Sequence, residues 1–266
     1  MTPSYLKEAA DAMEELQTLA AALRAEARKL ASLARRARRD LQSDNLLAAE
    51  QRLRQALATQ WTQQVEDSVQ QAAMRVGAAL RYLDEQYDSV FREQCGALHP
   101  DWNVVGGAKR YVVTDLIDVE VDFGRRRAMV NGRRMKSPGP LSVIRGVEEE
   151  AARLWGGPFD AAKVLQEIRE VYENLLIGQS RPRGEYVRLK DVKEAIERRR
   201  GEKLDRIGFG ALLSRLLRSA MTQSADSWRL HLAPVRSPKD SFPVSAQGGS
   251  GREGRGLLRF YREAPW

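Results

Sequence analysis

Between Leu6 and Leu41, apolar residues recur at alternating steps of three and four without a break. They are Leu6, Ala9, Met13, Leu16, Ala20, Leu23, Ala27, Leu30, Ala34, Ala37 and Leu41. This is the heptad seam of a coiled coil, and a helix bearing it must bury the stripe against a partner. The polar run Gln42-Ser43-Asp44-Asn45 supplies a stop and a new helix N-cap. A second seam follows through Leu46, Ala49, Leu53 and Ala56, changes phase at Leu57, Trp61 and Val65, and resumes from Val69 to Leu83, Tyr87 and Val90. Such a phase change is a stutter, which locally unwinds a supercoil. The pattern predicts two long helices, Ser4 to about Leu41 and Leu46 to about Phe91, joined by a short loop and therefore antiparallel. The second helix outlasts the first, so Tyr87 and Phe91 must pack on something beyond the hairpin. A helical rod offers no pocket for chemistry. It suits self-association or a protein partner, and Arg35-Arg36-Ala37-Arg38-Arg39 gives it a solvated basic face or a contact for phosphate or acidic groups.

Past Gly96, the period changes from about 3.5 to 2. Gly106-Gly107 reads as a hinge, Tyr111 to Phe123 alternates as a strand, and Asn131-Gly132 between Ala128-Met129-Val130 and Arg133-Arg134-Met135 is a type I′ hairpin signal. A small β-meander results, followed by a helix from Leu141 to Trp155. Alternation places Asp118, Glu120 and Asp122 on one strand face. Three carboxylates so placed are a candidate divalent-metal site for a nuclease. Cross-strand pairing with Arg125, Arg126, Arg127, Arg133 and Arg134 accounts for the same residues, and no metal is assigned.

The last third opens with Asp160 as the cap of a helix carrying Val164, Leu165, Ile168, Val171, Tyr172 and Leu175 on one face. A short strand at Glu185–Leu189, a helix from about Lys190 to Arg200, a turn, a helix from about Arg206 to Met221 and a strand from Trp228 to Val235 come next. A loop rich in Gly, Ser and Pro then runs from Arg236 to Gly256, before a final strand from Leu257 to Tyr261. This order resembles the winged-helix superfamily over roughly residues 159–262; the likeness lies in element order and length. It implies that the third helix enters the major groove of double-stranded DNA and that the loop between the last strands touches the backbone. Carried onto this chain, it nominates Arg206, Ser214, Arg215, Arg218 and Ser219 on the helix, and Arg236, Lys239, Arg252 and Arg255 in the wing.

Charge agrees with such a ligand. Lys and Arg exceed Asp and Glu by seven over residues 159–266 (21 against 14), whereas residues 1–95 are one short of neutral (13 against 14). No run reaches the roughly 18 apolar residues of a membrane span. Met1-Thr2-Pro3-Ser4 leads into an acidic amphipathic segment rather than a signal peptide, so the expected location is cytoplasmic. One cysteine, Cys95, precludes an internal disulfide, and His99 and His231 have no second ligand at metal spacing. Nucleophile–base, Walker and dinucleotide motifs are absent, so no enzymatic activity and no cofactor are expected.

The expectation is a mainly α chain with a small β component in three parts: an N-terminal antiparallel coiled-coil helical hairpin (1–95), a connecting segment with a β-meander (96–158) and a C-terminal winged-helix domain (159–266). Function follows as non-enzymatic DNA binding by the basic winged helix, with the hairpin for self-association. The alternative is an accessory subunit, laid out like a kleisin, docking on a larger coiled-coil ATPase of the SMC/ABC type in chromosome maintenance or antiviral defence.

Overall fold

The computed structural model describes residues 4–22, 24–58, 63–219, 222–223, 227–245 and 252–262. It is mainly helical, with short antiparallel sheets. Among the described residues, no helix is long and apolar enough to cross a membrane. The chain divides into two compact units, residues 1–113 with 117–149, and residues 114–116 with 150–266. The expected connecting segment is thus not a unit of its own.

The two predicted rods are four helices: α1 (Ser4–Ala22), α2 (Arg24–Gln42), α3 (Leu46–Leu57) and α4 (Gln63–Leu98). Helix α1 packs on α2 and α4, and α3 packs on α2 and α4, so the four close a ring. Neighbours joined by so few residues and packed side by side run antiparallel. Ion pairs fix the register, with Arg52 to Asp40 at 2.7 Å between α3 and α2, and Arg75 to Glu15 at 3.4 Å between α4 and α1. The heptad seam is a buried stripe, as its spacing predicts, but not a continuous rod. A stripe can be buried as well by folding the rod in half as by a second rod, and Leu16 and Leu30 are both buried on either side of the reversal. The stutter falls where α3 ends and α4 begins. Trp61 and the side chains of Ala20, Leu23, Ala27 and Val65 lie outside the described residues.

The predicted overhang of the last helix finds its cover. Tyr87 and Phe91, both fully buried, meet Tyr111 and Phe123 at centroid distances of 4.6–6.3 Å. Tyr111 lies in, and Phe123 directly follows, strands of the five-stranded meander β1 (Val104–Gly107), β2 (Arg110–Val113), β3 (Ile117–Asp122), β4 (Arg127–Val130) and β5 (Arg133–Arg134), with spatial order the same as chain order. Asp88 on α4 accepts the backbone N–H groups of Ala108 (2.6 Å) and Lys109 (3.0 Å) and the Tyr111 hydroxyl, which pins the β1–β2 turn to the helix. The expected Tyr111–Phe123 strand is two strands. Thr114 and Asp115 both have positive φ, 50° and 67°, and reverse the chain without the Gly or Asn that marks such turns. Gly106 and Gly107, expected as a hinge, lie in β1. The Asn131-Gly132 turn is as predicted, with φ of 47° and 79°.

Helix α5 (Pro140–Trp155) starts against the α2–α3 connection. Asp44 there has φ 58°, and its carboxylate accepts the Leu141 N–H at 2.9 Å while its carbonyl accepts the Ser137 hydroxyl at 2.8 Å. A distant carboxylate therefore caps the first turn of α5 behind a proline at its first position. Asp44 is 1% exposed, and burial pushes its carboxyl up to about 7 against the opposing pull of the Leu141 amide and Arg145. Because the folded value lies above the unfolded one, this group favours folding most below about pH 4, and that contribution is lost as pH rises through 7. About three pKa units correspond to at most about 4 kcal/mol. Asp44→Asn, which keeps an acceptor for Leu141, is expected to raise the urea midpoint above the unsubstituted protein at pH 8, with the difference shrinking towards pH 5. Parallel titrations at the two pH values check it.

Candidate nucleic-acid interface

The second unit is built from α6 (Ala161–Gly178), β6 (Val187–Arg188), α7 (Leu189–Arg200), α8 (Arg206–Arg218), β7 (Trp228–Ala233) and β10 (Leu257–Arg262), with β8 (Phe242–Ser245) and β9 (Arg252–Arg255) between the last two. The helices begin where the sequence places them. Asp160 accepts the Lys163 N–H, and Asp205 accepts that of Gly208. The sheet order is β6-β10-β7, antiparallel throughout, and its inner face contributes Val187, Leu230, Leu232, Leu258 and Phe260 to a core with Leu165, Ile168, Tyr172, Val192, Ile196, Phe209, Leu213 and Leu216.

The stretch expected as an unstructured wing loop contains a 3-10 turn at Pro238–Asp240 and the β8–β9 ribbon. That ribbon lies on α8. A Cβ on Gly210 would stand 2.0 Å from the Pro243 carbonyl oxygen, so only glycine admits the strand at this distance. Ser214, fully buried, donates its hydroxyl to the Gly210 carbonyl at 2.8 Å and accepts the Ser245 N–H at 2.9 Å. Helix α8 is therefore covered on two sides, by the core through Phe209, Leu213 and Leu216 and by β8 through Gly210 and Ser214.

The nominated residues separate accordingly. Ser214 leaves the set because its hydroxyl is consumed inside the unit. Arg215 donates to the carbonyls of Gly156 (3.2 Å) and Gly157 (3.0 Å) and lies 4.4 Å from the Phe159 ring centroid. Arg218 pairs with Asp115 at 3.1 Å, donates to the Ser245 hydroxyl at 2.8 Å and lies 4.6 Å from the Trp155 ring centroid. Arg206 donates to the carbonyls of Ser241 (2.8 Å) and Pro238 (2.7 Å). These three fasten α8 to the segments around it. Ser219 is exposed and its hydroxyl donates to the Leu216 carbonyl at 2.7 Å. Arg255 pairs with Glu253 and donates to the Leu232 carbonyl at 3.1 Å. Between β7 and β10, Arg236, Lys239 and Arg252 are exposed, and Arg236 and Lys239 have no ion pair among the described residues.

The remaining charge is unevenly available. Arg199 and Arg200 at the end of α7 pair with Glu170 and Glu167 of α6, which neutralises two of the three charges in the run Arg198-Arg199-Arg200. In the other unit, Arg35, Arg36 and Arg39 are exposed along α2. Asp118, Glu120 and Asp122 do share one face of β3, but Glu120 pairs with Arg110 at 3.0 Å and Asp122 with Arg125 at 3.7 Å. Among the described residues, no group of three or more His, Cys, Asp or Glu side chains is placed to hold a metal ion. Burial pushes the Cys95 thiol up to about 12, which leaves it unreactive at neutral pH. No protein-family model, curated protein or solved structure matches this chain.

Sequence reasoning misses the ribbon. Its signal is present in the apolar Phe242-Pro243-Val244 facing a glycine-bearing helix start, but Pro243 in one strand and Gly254 in the other mask it. Gly210→Ala is expected to lower the unfolding midpoint, by about 1–3 kcal/mol, because overpacking outweighs the better helix propensity of alanine. Gly77→Ala in α4, where nothing lies within 4 Å of the added methyl, should instead stabilise by up to about 1 kcal/mol. Urea denaturation of the two variants side by side measures both.

Proposed function

We propose that the chain is a non-enzymatic DNA-binding protein whose C-terminal unit is a winged helix that meets duplex with its wing rather than with its third helix. The observation that carries this reading is the combination of helix, strand, helix, helix and two strands with the sheet order β6-β10-β7, in which β8–β9 and the turn before it correspond to a wing. Arg236, Lys239 and Arg252 are exposed along that wing, as phosphate contacts require. The α8 arginines are committed to carbonyls, Asp115 and aromatic rings, so a groove-reading role for them would forfeit those interactions. The helical ring of α1–α4 serves as the arm, in self-association of coiled-coil type or on a partner.

A second reading rests on the same cover over α8. Winged helices also dock on proteins, and one whose third helix is closed off fits the kleisin-like accessory subunit of a coiled-coil ATPase. Fluorescence anisotropy with a labelled duplex at low and moderate salt separates the two. The DNA reading expects salt-dependent binding that weakens in Arg236→Ala/Lys239→Ala, with the slope of log K against log salt reduced by about 0.9 for each phosphate no longer neutralised. In Arg215→Ala/Arg218→Ala the affinity should hold while the unfolding midpoint falls. Absence of binding at low salt sinks the DNA reading and favours docking.

A further inference from the structure

The outer face of the β6–β10–β7 sheet has no part in the proposed wing. Strand pairing sets Arg259 opposite His231, and Tyr261 opposite Arg229. Since Leu230, Leu232, Leu258 and Phe260 point into the core, these four point away from it. Tyr186, just before β6, joins them, its hydroxyl 2.9 Å from His231 Nδ1 and its ring centroid 5.9 Å from the imidazole. The Tyr261 ring stands edge-on to His231 at 6.3 Å and 81°. The Arg259 guanidinium lies 4.7 Å from the Tyr186 centroid and 5.2 Å from that of Tyr261, and has no carboxylate partner among the described residues. His231 is exposed, and Tyr186, Arg259 and Tyr261 are half-buried.

We propose that this sheet face is a stacking platform for the unpaired bases of single-stranded nucleic acid. Three rings and a guanidinium, held by mutual contacts on one sheet face, present aromatic surface and positive charge together. That is the chemistry of base stacking with cation–π support. Outward positions of β7 and β10 carry Arg229, His231, Arg259 and Tyr261 but no carboxylate, so the face complements a phosphate backbone in charge. Burial, then Arg259 and Arg255, hold the His231 imidazole below its ordinary value, and a neutral ring stacks without a solvation penalty for charge. Duplex keeps its bases stacked on one another, so an aromatic platform selects strands whose bases can be splayed out. The inference takes its ligand class from the nucleic-acid reading above but uses residues that reading does not.

The test is anisotropy of the full chain with labelled oligo(dT) and oligo(U) of about 20 nucleotides, long enough to span one such site, and with duplex of the same length. Tyr186→Ala and Tyr261→Ala are each expected to weaken single-strand binding about tenfold, while duplex binding, which depends on Arg236 and Lys239, stays unchanged. Tyr186→Phe keeps the ring and removes only the His231 hydrogen bond, so it should restore most of the affinity and shows that the alanine effect is not misfolding. Photocrosslinking of an iodouracil-substituted strand should map to Tyr186, His231 or Tyr261. Single-strand affinity unaltered in both alanine variants, crosslinks confined to the wing, or no single-strand binding by the unsubstituted protein would each overturn the platform. No duplex binding by the unsubstituted protein, with single-strand binding present and weakened in both alanine variants, would instead overturn the wing reading and leave the platform standing. The two oligonucleotides show whether the natural strand is DNA or RNA.

Discussion

A helix has limited circumference, and α8 spends almost all of its own on burial. Phe209, Leu213 and Leu216 go to the core, and on another side Gly210 and Ser214 receive β8. Cations are left to occupy the edges between these two surfaces, and they do so by donating to whatever lies alongside. Arg215 reaches the Gly156 and Gly157 carbonyls, Arg218 reaches Asp115 and Ser245, and Arg206 reaches the turn before β8. Each guanidinium satisfies backbone or side-chain acceptors beside the helix. The positions that look most like a DNA-reading helix in sequence thus hold the second unit together.

The same competition for acceptors redistributes the basic excess of the C-terminal third. A net charge counted along the chain weighs every arginine equally, yet Arg199 and Arg200 are matched by Glu170 and Glu167, Arg181 by Glu185 and Arg188 by Asp191. Cations of this third without an ion pair among the described residues include Arg236 and Lys239 before the ribbon and Arg259 on the outer sheet face. Electrostatic attraction to a polyanion depends on such unpaired clusters more than on the total.

Periodicity made much of the fold legible. Heptad spacing marks the buried positions of α1 to α4, where Leu6, Met13, Leu41, Leu53, Val76 and Leu83 are all buried, and alternation marks the inner faces of β3 and β10. Caps are legible too, at Asn45 and Asp160. Reversals are not, because their causes are tertiary. Thr114-Asp115 turns with the Asp115 carboxylate held by Arg218 and Ser245, partners 103 and 130 residues away in sequence, and nothing local to Thr114 announces it. The fold-back of the first seam has the same origin, since a heptad stripe is compatible with one long helix or two short ones and only the ring of four decides between them.

Candidate sites divide along the same line. Residue type and strand parity identify Asp118, Glu120 and Asp122 as sharing a face, but whether a carboxylate is free depends on neighbours such as Arg110 that pairing brings across. Tyr186, His231, Arg259 and Tyr261 are separated by up to 75 positions and come together only because β10 pairs with both β6 and β7. In sequence they are two lone tyrosines, a histidine without a second ligand and one arginine among many. On the sheet they are neighbours, and a face that contributes nothing to the core yet holds its rings in fixed mutual orientation is organised for a planar ligand.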